Sequence, residues 1–138
     1  MAGSLLDRAT TILRLRYERY ELRVRPDHAI VERAGAWSVM LREHNERGNR
    51  TLMLIGDIGP ETAASPRTML EMAAWLGSGA IALVGGRYFL RYTMPAERID
   101  TPALDDALEY VGCVAADLGS ALARYEFPNR ELFAHYIG

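Results

Sequence analysis

The sequence has no lysine, no glutamine and a single cysteine, Cys113. One thiol excludes an intrachain disulfide framework. No apolar run approaches the roughly 20 residues of a membrane-spanning helix, so no membrane partner is expected. The first residues, MAGSLLDRATT, lack a basic stretch followed by an apolar one. No signal peptide is therefore expected, and the expected location is the cytoplasm. Charge of one sign is also missing. Sixteen basic residues stand against 18 acidic ones, for a net charge of −2, which argues against nucleic acid as the partner. Every basic residue is arginine, whose planar fork makes bidentate contacts that lysine does not.

What is present is an ordinary globular composition: 138 residues, 49% hydrophobic and 25% charged. That length predicts one domain with a core large enough to stand without metal or disulfides.

Hydrophobic periodicity and turn residues give the order of elements. Leu5, Ala9, Ile12, Leu13 and Tyr20 recur at three- and four-residue steps and predict a helix over 4–20. Three strands follow, over about 28–33, 36–43 and 51–57, with residues 45–50 as a polar turn. Gly56, Gly59 and Pro60 are expected to end the third strand. Ser65-Pro66 is a cap followed by Pro at the first helical position, and predicts a helix reaching Leu76 and stopping at Gly77. Residues 80–84 and 87–94 flank Gly85-Gly86, a strong hairpin signal because both turn positions need positive φ. Thr101-Pro102 opens the longest helix, with Thr101 as the expected cap and Asp105 and Asp106 complementing the helix dipole. Its stripe is Leu104, Leu108, Val111, Leu118, Leu122 and Tyr125. Asn129 can cap a short last helix over 130–137. Strands in runs with helices outside them predict an α+β fold with an antiparallel sheet of about five strands. The domain is expected to span 1–125, with a tail over 126–138.

Catalytic chemistry finds little purchase. His28, His44 and His135 show no metal-ligand spacing, and none neighbours Cys113, which reads as a small packed thiol. Gly56-Asp57-Ile58-Gly59 has neither dinucleotide glycine spacing nor a phosphate-loop lysine. Asp105 and Asp106 are adjacent, so on a helix they diverge by about 100° and make a poor acid–base pair. The cluster Arg14, Arg16, Arg19, Arg23 and Arg25 reads as a solvated face, with binding to an acidic partner segment as the alternative. No catalytic residue, metal or cofactor is expected.

The middle helix is more telling. Met69, Met72, Ala73 and Leu76 suffice as its core stripe. Leu70, Ala74 and Trp75 then need another cover, most simply a second copy of the chain. The alternative is cover from residues 58–65 or from the last helix.

The order and local signals resemble the type III secretion chaperone fold, which YbjN-type proteins also adopt. The matching pieces are Leu52-Met53-Leu54-Ile55-Gly56-Asp57-Ile58-Gly59, then Thr68-Met69-Leu70-Glu71-Met72-Ala73-Ala74-Trp75-Leu76. After these come Gly79-Ala80-Ile81-Ala82-Leu83, Tyr88-Phe89-Leu90-Arg91-Tyr92-Thr93-Met94-Pro95 and the helix from Leu104 to Leu122. Two departures are the absence of an Asn often found after the middle helix and the extra tail. The resemblance implies a small, acidic, bacterial homodimer, joined mainly through the middle helix, that binds an extended segment of a client protein through its first helix and sheet face. That client is expected to be a secreted effector. The alternative is a YbjN-type regulatory or structural dimer with no export client. No cofactor is implied.

Period-2 alternation predicts that Tyr88, Leu90 and Tyr92 face the long helix and that Arg87, Phe89 and Arg91 face the other way. Met40 and Met53 are expected on that second surface. Methionine and arginine-flanked aromatics suit an adaptable client-binding face. Packing of Phe89 beneath the first helix or the tail fits the alternation equally well.

Overall fold

A computed structural model describes residues 4–16, 18–74 and 76–123. The elements run α1 (Leu5–Arg14), β1 (Glu21–Val24), β2 (Ala29–Arg33), β3 (Trp37–Glu46), β4 (Asn49–Pro60), α2 (Pro66–Ala73), β5 (Ala80–Val84), β6 (Arg87–Pro95) and α3 (Thr101–Ala123). The six strands form one antiparallel sheet in the order β1-β2-β3-β4-β6-β5. The α+β class is as expected. The strand over 21–24 is additional, because the expected helix over 4–20 ends at Arg14 and leaves room for it. The tail, the short last helix, Tyr125 and Trp75 lie outside the described residues.

Each helix start has a chemical reason. Ser4 caps α1 by accepting from the Asp7 backbone N–H at 3.1 Å, and Asp7 returns the bond to the Ser4 N–H at 3.3 Å, a capping box. Ser65 caps α2 as expected, accepting from Thr68 N at 3.2 Å ahead of Pro66. For α3 the cap is Asp100 rather than Thr101. Its carboxylate accepts from Ala103 N at 2.9 Å. The two-glycine turn between β5 and β6 has φ of +59° at Gly85 and +80° at Gly86, as the hairpin requires.

The core lies between one face of the sheet and α3 with α1. Val39, Leu41, Leu52, Leu54, Leu90, Leu104, Leu108 and Val111 are fully buried there. Burial of a side chain of this size contributes about 1.5–3 kcal/mol. Tyr88 and Leu90 face this core as alternation predicted, and Tyr92 packs on Tyr110 of α3 with ring centroids 6.0 Å apart.

Residues 56–59 do not end the strand. β4 continues to Pro60 through an irregularity in register between Asp57 and Gly59. Gly56 serves helix packing instead. A β-carbon there would stand 2.7 Å from Cβ of Ala115, so its absence lets α3 lie close against β4.

Candidate functional site

The second face of the sheet is where the chain leaves apolar side chains without a helix. Both α1 and α3 pack on the Leu41 and Leu54 side, and among the described residues no helix covers the other side. Register shows which side chains share that open face. Met40 stands opposite Ile55, and Ile55 opposite Arg91. Arg42 stands opposite Met53, and Asp57 opposite Phe89. Pairs directly opposite in an antiparallel ladder point the same way.

These side chains border a groove of about 460 Å³. Met40, Met53, Ile55 and Phe89 supply its apolar lining. Arg42, His44 and Arg91 add cationic or polar groups, and Val84 closes the β5 side. The structure thus brings together four of the five residues expected on this surface: Met40, Met53, Phe89 and Arg91. Arg87 stands apart from the lining. Its guanidinium grips Asp57 through two bonds, Nε at 3.1 Å and Nη2 at 2.8 Å. That contact raises the Arg87 pKa further through the Asp57 hydrogen bond and charge.

Met53 differs from a free surface methionine. It is only 4% exposed although no helix among the described residues covers it. Arg91 lies over it, with Nη2 at 3.4 Å from the thioether sulfur. The long arginine stem can cover apolar surface while its head stays in water. Arg42, His44 and Ile55 were not expected here; parity with Met40 and Met53 was the available signal for Arg42 and Ile55, and His44 lies beyond the expected end of β3.

On α2, Met69 and Met72 are buried and Leu70 is 70% exposed. Ala74 just after it is exposed as well. Residues 58–65 therefore do not cover this side of α2. The helix packs beside β5, whose Leu83 and Val84 are also exposed.

The remaining polar groups serve the fold. Asp105, expected only to complement the helix dipole, pairs with Arg16 at 2.9 Å and Arg19 at 3.5 Å and accepts from the Tyr20 hydroxyl at 3.0 Å. So two arginines of the supposed solvated cluster are tied to α3, because the chain after α1 passes beside that helix. A third, Arg23, pairs with Glu32 across β1 and β2. Glu109 takes Arg33, accepts from Trp37 Nε1 at 3.4 Å and faces the Cys113 thiol at 3.8 Å. Burial first, then the Glu109 and Asp117 charges, push the Cys113 thiol up, so it is held as the thiol rather than the reactive thiolate. His28 contacts the Asp27 carboxylate at 2.7 Å, which lowers the Asp27 pKa. Among the described residues no group of three or more His, Cys, Asp or Glu side chains is placed to hold a metal ion. Among them, too, no helix is long and apolar enough to cross a membrane. His135 lies outside the described residues.

No protein-family model matches the chain. No curated protein matches it in sequence either. Among solved structures it is similar to a chain of the HopA1-SchA chaperone-effector complex. The two are 16% identical, and the likeness covers 96% of this chain and 90% of that one with a TM-score of 0.52. At this identity the likeness is one of fold. It agrees with the chaperone-like α+β arrangement that the element order implied, with a sheet of six strands rather than about five.

Proposed function

We propose that this protein is a non-enzymatic chaperone that binds an extended segment of a client protein on the open face of its sheet. One observation carries the reading: the groove of Met40, Met53, Ile55 and Phe89 on a face that no described helix covers. An apolar sheet face is normally covered, and a half-buried apolar groove that no described helix covers favours a partner. An extended peptide suits a ribbed sheet surface, because its alternate side chains enter one face. The fold likeness to a chain from a chaperone-effector complex supports the same reading. The protein then acts in the cytoplasm, where a client is held before export.

In this reading the active form is a homodimer joined through α2, with Leu70, Ala74 and Trp75 at the interface. Support comes from Leu70 on α2 and Ala74 just after it, both exposed while the core stripe is already satisfied by Met69 and Met72.

The test is co-purification from the native host with identification of the captured client by mass spectrometry, then titration of that client against Phe89→Ser. Loss of one contact of this kind weakens affinity at least tenfold, about 1.4 kcal/mol. Phe89 is half-buried rather than part of the core, so the variant stays folded. A client bound equally well by Phe89→Ser overturns the assignment of this face.

A further inference from the structure

The charge of the groove says what kind of segment it takes. Among the described residues its lining contains two guanidiniums, Arg42 and Arg91, and no carboxylate. Seven other arginines, Arg16, Arg19, Arg23, Arg33, Arg50, Arg67 and Arg87, each pair with an acidic side chain. Arg91 instead rests on a thioether, a weak acceptor that leaves its charge uncompensated. Arg42 acts on Asp27 only through space. The carboxylate on the same face, Asp57, is already engaged by Arg87. A chain with an acidic excess, net −2, therefore presents a locally cationic apolar groove.

We infer that the client segment is apolar and acidic, with carboxylates placed to meet Arg42 and Arg91 on either side of apolar residues that enter between them. This rests on the reading of the open face as a docking site. Arg42 lies on β3 and Arg91 on β6, with β4 between them. Arg91 is level with Met40, two residues along from Arg42. Strand spacing then separates the two backbone positions by about 12 Å. Residues four apart in an extended peptide are about 13 Å apart and point to the same side. The segment that fits thus carries an acidic residue, an apolar residue and a second acidic residue at alternate positions. Arginine suits this role, because its fork takes a carboxylate through two parallel bonds. A basic segment is repelled by the same two groups.

The test uses the full chain and three labelled 12-residue peptides in which Leu and Phe alternate with Ser. They carry Glu, Gln or Lys at two inward positions four residues apart, and binding is read by fluorescence anisotropy. The expected order is Glu over Gln over Lys, with Glu at least tenfold tighter than Gln. That advantage disappears at 0.5 M salt, as a screened charge contact must, at a Debye length of roughly 4 Å. The double variant Arg42→Glu with Arg91→Glu reverses the order so that Lys binds best. Since Arg91 covers Met53, the single exposed change Arg42→Glu gives the same direction if the double variant unfolds. Equal binding of Glu and Gln peptides, both lost in Phe89→Ser, overturns the acidic preference and leaves the docking face intact. Absence of binding by all three overturns both, and assigns the groove to another occupant such as a second copy or residues 124–138.

Discussion

The indole of Trp37 occupies the space that a β-carbon on Gly112 would need. Three ring atoms of Trp37 stand within that volume, so helix α3 meets strand β3 directly at a residue without a side chain. The ring is held on its other sides by Tyr20, with centroids 5.8 Å apart, and by Glu109, which accepts from Nε1 at 3.4 Å. Trp37 is 8% exposed.

Gly112→Ala is accordingly expected to destabilise the protein, although alanine improves helix propensity by about 1 kcal/mol. Overpacking against a rigid ring costs about 1–3 kcal/mol and more where nothing relaxes. The net expectation is a lower urea midpoint with an unchanged slope. An unchanged or raised midpoint would show that Trp37 yields.

Tyr20 links the segment after α1 to α3 through Asp105, and its phenol is pushed up to about 12 by burial first, then by the Asp105 hydrogen bond and charge. A raised value means that the folded state holds the proton more tightly than the unfolded one. This stability is fully present below about pH 10 and is lost as pH rises from there to about 12. The shift of two units from 10.0 corresponds to roughly 2–3 kcal/mol. In Tyr20→Phe the alkaline fall in stability, followed by urea unfolding at pH 9, 10 and 11, should be shallower than in the parent. An identical alkaline limb would remove Tyr20 as its source.

Glu43 reaches from β3 to the start of α1, accepting the Leu5 N–H at 2.8 Å and bonds from Arg50 at 2.6 and 3.2 Å. The Leu5 bond foremost, with Arg50, lowers its pKa from the usual 4.5. The stabilisation is present above that value and disappears as pH falls through the lower folded one. Glu43→Gln should weaken the protein at pH 7 by about 0.5–1.5 kcal/mol, the scale of a helix-terminus contact. It should also flatten the loss of stability below pH 4.5. Equal acid limbs in the two proteins would count against the contact.

Leu70→Glu tests the assembly. Leu70 is 70% exposed, so a charge there leaves the folded chain intact. If α2 joins two copies, light scattering after size exclusion should show a dimer for the parent and a monomer for the variant at micromolar concentration. A monomeric parent ends the dimer proposal.

Much of the fold was legible because its signals are local. Ser65-Pro66, Gly85-Gly86 and the stripe along α3 act within a few residues, and each formed the kind of element expected, although α2 ends at Ala73 rather than at Leu76. Alternation alone separated Tyr88 and Leu90 from Phe89 and Arg91, since a strand turns successive side chains to opposite faces. What local signals do not carry is which distant group lies opposite. Asp105 looks like a dipole-complementing residue until Arg16, Arg19 and Tyr20 are folded against it. Gly56 looks like a strand breaker until α3 crosses it, and Gly112 like an idle helix glycine until Trp37 arrives. The same holds for the groove. The sequence by itself determined, by period-2 alternation, that Phe89 and Arg91 face away from Tyr88 and Leu90. Only strand register decided that they meet on one face beside Arg42 and His44, because a one-residue slip would send each strand's side chains to the other side of the sheet.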